Sequence, residues 1–123
     1  MENERQKFKI EFKRRLYNWV LRLIKFIDGL PRSPINDIIG KQLLRSGTSI
    51  LANYTEAYSA CSKKDFLNFF SYSLKSSNES EMWLNLLKDT GKGNLDELKW
   101  LTQELSELSK ILAKSILTLK GKK

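Results

Sequence analysis

The side chains that could carry out chemistry in this chain are few, and their spacing predicts no catalytic centre. The sequence contains no histidine and one cysteine, Cys61, so a serine triad is excluded and a zinc site lacks the thiol or imidazole ligands that it requires. The acidic pairs Glu79/Glu81 and Asp96/Glu97 lack the Glu-x-x-His pattern of di-iron helical bundles. We therefore expect a protein that is not an enzyme and that uses no metal and no cofactor.

The two glycines that flank Lys92 form the one segment that invites comparison with a phosphate-binding loop. The segment is too short for such a loop, and no serine or threonine follows it at the required place. Glycines at this spacing are typical of a turn that joins two helices. We expect a helix to end before them and another to begin after them.

One predicted helix carries a polar series along its length, which consists of Lys41, Arg45, Asn53 and Glu56. Folding this helix back on the next one about Cys61 places Arg45 near Ser77 and Glu79, and Lys41 near Glu81, which suits ion pairs between helices. In one interpretation, Arg45 and Asn53 contact a ligand. The interpretation we favour is a satisfied polar network between helices or subunits.

The segment from Ile39 to Ala57 reads as a helix although it contains several small residues. Its apolar positions recur at helical spacing, and Gly40 and Gly47 lie two turns apart on nearly the same face. Because small residues allow a second helix to come close, we expect a packing and assembly surface here. The residues alone leave open whether the cluster 46–49 interrupts the helix.

Four amphipathic segments separated by short turns predict an all-α protein with a single domain, residues 1–123. The predicted helices span about residues 8–28, 34–60, 63–90 and 95–119, with a disordered tail over 120–123. Ser33 followed by Pro34 predicts one helix start, and the pairs Ser62/Asp65 and Asn94/Glu97 predict capping boxes at two others. Such short connections favour an antiparallel, up-down-up-down four-helix bundle.

Positive charge dominates the chain, with 22 Lys and Arg against 14 Asp and Glu and a formal net charge of +8. In an up-down bundle the cations of three segments meet at one end, while many acidic residues fall at the opposite end. We define this basic end by the residues predicted to bind nucleic acid, which are Arg5, Lys7, Lys9, Lys13, Arg14, Arg15, Lys63, Lys64, Lys110, Lys114 and Lys120. The alternative is that these lysines only keep the protein soluble, and that the chain is an adaptor or scaffold for other proteins.

The remaining composition bears on location and assembly. The N-terminus is too charged for a signal peptide, and Arg22 and Lys25 interrupt the longest apolar run, so we expect a soluble cytoplasmic protein with no membrane partner. The apolar arcs of the first and third predicted helices are wider than one four-helix core can cover. They predict a homo-oligomer.

Three segments resemble a known family: the Ile39–Ala57 helix, the SKKDF start of the third helix, and the run 76–87. They are similar to the four-helix bundle proteins encoded in intervening sequences of bacterial 23S ribosomal RNA genes, and to the accessory variability determinant of diversity-generating retroelements. The resemblance covers about residues 16–119 and implies an uninterrupted second helix.

The same resemblance implies a homopentameric ring with a basic surface that binds nucleic acid, RNA or DNA, and a reverse transcriptase as a possible partner. It implies no catalytic residue. The positions that it supports as shared fold or assembly residues are Gly47, Ser49, Asn53 and Glu56, which join Lys41, Arg45, Glu79 and Glu81 in the predicted interface or structural network.

Overall fold

The computed structural model describes residues 3–121, and within that range the chain forms four α-helices and no strand. The helices are α1 (Glu4–Asp28), α2 (Pro34–Ala57), α3 (Lys63–Asp89) and α4 (Leu95–Leu119). The all-α prediction is confirmed. Helix α1 begins at Glu4 rather than near residue 8, and α2 ends at Ala57 rather than at residue 60. The predicted tail, 120–123, lies partly outside the described residues.

Local capping explains where the helices begin. A capping box that the sequence did not predict starts α1: the Gln6 amide donates to Asn3 Oδ1 over 2.8 Å, and the Asn3 amide donates back to the Gln6 side chain. Ser33 caps α2 ahead of Pro34, as predicted. At α4 only half of the predicted box forms, because Asn94 accepts from the Glu97 amide while the Glu97 carboxylate binds Arg22 instead.

Each helix packs against its neighbours in the chain, and α4 closes the bundle against α1. The backbones of the diagonal helices stay farther apart than those of adjacent helices within the described residues, so the order around the bundle is α1, α2, α3, α4. Trp19 is fully buried at the centre, where its indole nitrogen donates to the Leu101 carbonyl over 2.9 Å. Other fully buried side chains come from all four helices and include Leu16, Leu23, Leu43, Ile50, Leu84, Leu87, Leu98, Leu105 and Leu108.

The small residues of α2 bring helices of the same chain together. A Cβ atom at Gly47 would collide with the side chain of Leu23 and would lie 3.4 Å from the Trp19 ring, so a larger residue would force the fully buried Leu23 to move. On the other side of α2, the hydroxyls of Ser46 and Ser80 lie 2.8 Å apart, and both are fully buried. The close approach predicted from Gly47 therefore occurs inside the bundle rather than between subunits, and α2 runs without a break through residues 46–49.

The outer face of α1 is apolar as well. Ile10, Tyr17, Leu21 and Ile24 recur at helical spacing and remain between 41% and 52% exposed. These residues face away from the core that Trp19 and its neighbours form. No helix in residues 3–121 is both long and apolar enough to span a bilayer.

Candidate nucleic-acid interface

The structure brings the predicted basic residues into one half of the bundle, the half in which α1 and α3 begin and α2 and α4 end. Within residues 3–121 most of them are exposed and form no ion pair with another residue. These exposed cations are Arg5, Lys7, Lys9, Lys13, Lys63, Lys64, Lys110, Lys114 and Lys120. Their charge is therefore available to an anionic partner.

Two of the predicted residues are instead engaged within the chain. Arg15 is half-buried and forms a two-bond ion pair with Glu104 of α4, at 2.7 and 3.0 Å, with a longer contact to Glu107. Arg14 pairs with Glu11 one turn before it, and its hydrogen bond lowers the pKa of that carboxyl. The sequence did not reveal these partners, since the Glu104 pairing requires α1 and α4 to lie side by side.

A groove of about 970 Å³ opens at the basic end between the termini of the four helices. Cations from three helices line it, namely Arg5 and Lys9 from α1, Lys63 from α3 and Lys114 from α4. Glu4, Glu56 and Asp65 also belong to this end of the bundle. None of the three lines the groove, so the charge around its mouth is positive.

The interior of the groove is aromatic. Its lining includes Phe8, Phe12, Tyr54, Tyr58, Phe66 and Phe70. Tyr54 lies at the centre of the cluster, with ring centroids 5.1 Å from Phe12, 5.1 Å from Tyr58 and 5.6 Å from Phe70. Burial raises the pKa of Tyr54 well above its usual value, so its hydroxyl stays neutral.

Sequence reasoning missed this cluster, although a signal was present. The six aromatic residues form three pairs spaced four residues apart, 8/12, 54/58 and 66/70, and each pair lies within about three turns of a helix terminus at the basic end. Each pair alone reads as ordinary core. Only the antiparallel arrangement of the helices places the three pairs together.

Lys9 connects the charged mouth to the aromatic interior. Its ammonium nitrogen lies 3.9 Å from the centre of the Tyr58 ring, which is a cation–π contact. The contact holds the charge of a flexible side chain at the mouth of the groove. Tyr58 itself remains 42% exposed.

The predicted polar network between α2 and α3 forms in part. Arg45 binds both Gln42 and Glu79, and Glu79 also accepts a 2.9 Å hydrogen bond from the Trp83 indole. The Trp83 bond and then the Arg45 bond hold the pKa of Glu79 below its usual value. No ion pair joins Lys41 to Glu81 within the described part of the chain.

The other predicted network residues have local roles. Asn53 donates to the Ser49 carbonyl over 2.9 Å, and the Ser49 hydroxyl donates to the Arg45 carbonyl over 2.8 Å, both along α2 itself. Glu56 is exposed near the end of α2. None of these residues lines the groove at the basic end.

Ion pairs close the opposite end of the bundle. Arg22 binds Glu97 through two hydrogen bonds of 2.7 and 3.0 Å and stacks on the Trp100 ring at 3.5 Å, and the Arg22 bond lowers the pKa of Glu97. Arg32 pairs with Asp37 over 3.0 Å. Here positive and negative charges neutralise one another, so the acidic end predicted from the sequence is partly compensated.

Within residues 3–121 the side chains form no cluster of three or more histidine, cysteine, aspartate or glutamate residues that could hold a metal ion. Cys61 is exposed, and its thiol is free. The arrangement at the basic end offers cations and aromatic rings but no paired acid and base. Its chemistry is therefore suited to binding an anion with a flat, apolar part.

Comparison with known proteins adds the family. No protein with a curated function is significantly similar to this chain in sequence. The chain is 33% identical to a protein of unknown function from the S23 ribosomal protein family of Bacteroides thetaiotaomicron VPI-5482, and its fold matches that crystal structure with a TM-score of 0.79 over 85% of this chain and 97% of the other. The family model of the 23S rRNA-intervening sequence protein matches residues 9–114, and the chain therefore belongs to that family.

Proposed function

We propose that this chain is a non-enzymatic, self-assembling four-helix bundle that binds the phosphates of RNA or DNA at its basic end. The observation that carries the proposal is the ring of Arg5, Lys9, Lys63 and Lys114 around one groove, with no acidic residue in the lining. Cations from three helices converge there, and further exposed lysines extend the surface. A nucleic acid offers a matching row of negative charges.

The binding is expected to be independent of base sequence. Most of the cations are lysines, which recognise phosphate as point charges rather than through the paired hydrogen bonds of a planar arginine. Contacts to phosphates position a protein without reading bases. Affinity should therefore fall steeply with salt and vary little between sequences.

The decisive experiment reverses three lysines near the end of α4, with the changes Lys110→Glu, Lys114→Glu and Lys120→Glu. Fluorescence anisotropy with a short RNA at low salt should show a loss of affinity of about tenfold or more, and a shallower dependence on salt, because fewer counterions are released. Thermal denaturation checks that the variant folds.

A matched control places the same change in net charge elsewhere. Lys25, Lys88 and Lys99 are exposed and belong to the other half of the bundle, so replacing them by glutamate should weaken binding much less. Equal losses in both triple variants, or no binding by the wild type at low salt, would contradict the proposal.

The apolar outer face of α1 supports self-assembly. Ile10, Tyr17, Leu21 and Ile24 form an exposed stripe along the helix, opposite the face that already packs in the core. Contiguous apolar surface of this kind is typical of subunit contacts. We propose that this stripe joins copies of the chain, and the family resemblance described above suggests a pentameric ring.

Light scattering tests the assembly directly. The wild type should have several times the chain mass of 14.3 kDa, and Leu21→Lys should shift it toward the monomer without unfolding it, since Leu21 lies outside the core. Asn18→Lys on another exposed face of α1 is the control. A wild-type monomer at micromolar concentration would contradict the assembly.

The resemblance to retroelement accessory proteins also suggests a reverse transcriptase as a partner. The competing function is an adaptor whose apolar α1 face docks another protein, with no role for nucleic acid. Copurification with a reverse transcriptase encoded in the same genome tests the first. Under the second, the lysine reversals near the end of α4 should leave the protein complex intact.

A further inference from the structure

The proposed contacts with phosphates use only the rim of the groove and leave its interior unexplained. The groove is deep enough that Phe12, Tyr54 and Phe70, all almost fully buried, belong to its lining. A site that bound only phosphates would need cations on an open surface and no aromatic interior. The interior therefore points to a ligand that carries an apolar group beside its negative charge.

We infer that the groove takes unpaired bases of single-stranded nucleic acid, which stack on its exposed aromatic rings while the adjoining phosphates contact the cations at the rim. This inference rests on the proposed nucleic-acid function and makes it more specific. A nucleotide combines a flat aromatic base with an anionic phosphate a few bonds away. The groove presents the complementary pair of features in the same order, with rings inside and cations around the mouth.

Two aromatic side chains have surface available for such stacking. Phe8 is 58% exposed and Tyr58 is 42% exposed, and both line the groove. Phe66 is half-buried and joins Tyr58 to the buried Phe70, with its ring centroid 5.1 Å from that of Tyr58 and 4.7 Å from that of Phe70. Phe8 is not among the residues that form or pack against the core, and it shares the groove lining with four cations, so a ligand explains its position better than packing does.

Lys9 is placed to act on both parts of the ligand. Its ammonium group, held over the Tyr58 ring at 3.9 Å, lies at the boundary between the rings and the mouth. A base that stacked on Tyr58 would displace the ammonium group from the ring, and the freed charge would then lie next to the phosphate of that base. The cation–π contact thus keeps the charge close to its site of use before the ligand arrives.

The polarity of the groove favours bases in general over particular ones. Apart from the cations and the tyrosine hydroxyls, its polar lining consists of Gln6, Ser115 and Thr118. Three such groups on flexible side chains do not form the paired hydrogen bonds that distinguish one base from another. Stacking tolerates every base because each has an aromatic face.

Duplex nucleic acid cannot use the interior in this way. Its bases are stacked on one another inside the helix, and only phosphates and groove edges face the protein. A duplex would therefore contact the rim cations alone. The inference predicts that the protein prefers a single strand to a duplex, although the duplex has the higher charge density.

The test compares three probes of about 15 nucleotides, a length near the upper site size of common single-strand binders. The probes are oligo(dT), an abasic strand with the same number of phosphates, and a duplex. Full-length protein at fixed salt should bind oligo(dT) at least about tenfold more tightly than the abasic strand, the effect of roughly one stacked base. The duplex should bind more weakly than oligo(dT).

Two aromatic variants localise the effect. Phe8→Ala and Tyr58→Ala should each reduce the preference for oligo(dT) over the abasic strand, and Phe8→Ala should leave affinity for the abasic strand unchanged. Phe8→Ala removes an exposed ring and is expected to leave the fold intact. The control is Tyr72→Ala, a tyrosine of similar exposure, 49%, that does not line the groove.

The outcomes separate this inference from the function on which it rests. If the abasic strand and the duplex bind as tightly as oligo(dT), the stacking inference is wrong and phosphate binding stands. If no probe binds at low salt, both are wrong. If an acidic amphipathic peptide occupies the groove and no nucleic acid does, the groove is a peptide site and the inference is overturned.

Discussion

The two ends of the bundle treat their charges and aromatic rings in opposite ways. At the end of the bundle away from the groove, which we call the opposite end, Arg22 is bound to Glu97 and stacked on Trp100, and Arg32 is bound to Asp37. At the basic end, Lys63 and Lys114 border a groove whose lining contains no acid. Both ends have cations and aromatic rings, but Arg22 joins α1 to α4 through Glu97, whereas the cations that line the groove form no ion pair within the described residues.

Packing follows the same division. At the opposite end the chain after α3 turns back at Gly93, where a Cβ atom would lie 2.7 Å from the Phe26 ring and 3.1 Å from Leu30. At the basic end the groove occupies about 970 Å³. An end that is closely packed and partly neutralised serves the fold. Because the other end is open and positively charged, a partner can gain free energy by binding there.

The largest expected effect tests the close packing around Gly93. Gly93→Ala forces a side chain into a left-handed conformation, φ +76°, and into the Phe26 ring. It should lower the free energy of unfolding by about 2–4 kcal/mol, since overpacking adds to the backbone strain. Chemical denaturation measures the loss.

Gly91 supplies the matched control for that substitution. It has a similar φ of +69°, but nothing lies within 4 Å of its added Cβ, so Gly91→Ala should show only the backbone cost of about 1 kcal/mol. Equal losses for the two variants would mean that the contact with Phe26 is unimportant. At the basic end, Ser115→Leu should change stability by no more than about 0.5 kcal/mol, because the groove has space for the larger side chain.

A second prediction concerns how cations at each end contribute to stability and to nucleic-acid binding. Arg22→Ala removes an ion pair and a ring contact and should cost about 1–2 kcal/mol of unfolding free energy. Lys63→Ala and Lys114→Ala should stay within about 0.5 kcal/mol of the wild type and should weaken nucleic-acid binding instead. Denaturation curves and anisotropy on the same three proteins compare the ends. A stability loss at Lys63 as large as that at Arg22 would remove the distinction.

The smallest expected effect is a pH dependence of the stability that the Arg22–Glu97 ion pair contributes at the opposite end. The Arg22 bond holds the pKa of Glu97 below the ordinary value of 4.5, so the folded state binds the proton less readily than the unfolded state. The stabilisation is therefore complete above about pH 4.5 and is lost as pH falls through the folded-state pKa. Its size should be about 0.5 kcal/mol, because the pair is partly exposed.

Glu97→Gln provides the comparison for that pH dependence. The variant should be slightly less stable at pH 7, and the difference from the wild type should shrink as the pH is lowered below 4. Thermal denaturation between pH 3 and pH 7 measures both. A constant difference across this range would show that the ion pair does not contribute through ionisation of Glu97.

Two predicted side-chain contacts show how much of the polar network can be predicted from the sequence. The contact between Arg45 and Glu79 was predicted by folding two helices back on each other, and the structure confirms it. The return bond predicted from Glu97 to the start of α4 does not form, because Arg22, 75 positions earlier, binds that carboxylate. Local spacing identifies local partners and cannot identify a competitor from another helix.

The sequence by itself determined the four helices, most of their starting residues and the end of the bundle at which the cations gather. These properties depend on hydrophobic period, capping residues and short connections, all of which act within a few residues. Tertiary structure alone decided that Arg15 is bound to Glu104, that α1 of the same chain packs against Gly47, and that three separated aromatic pairs line one groove. Each of these depends on how the helices lie beside one another, which long-range packing sets and no local pattern encodes.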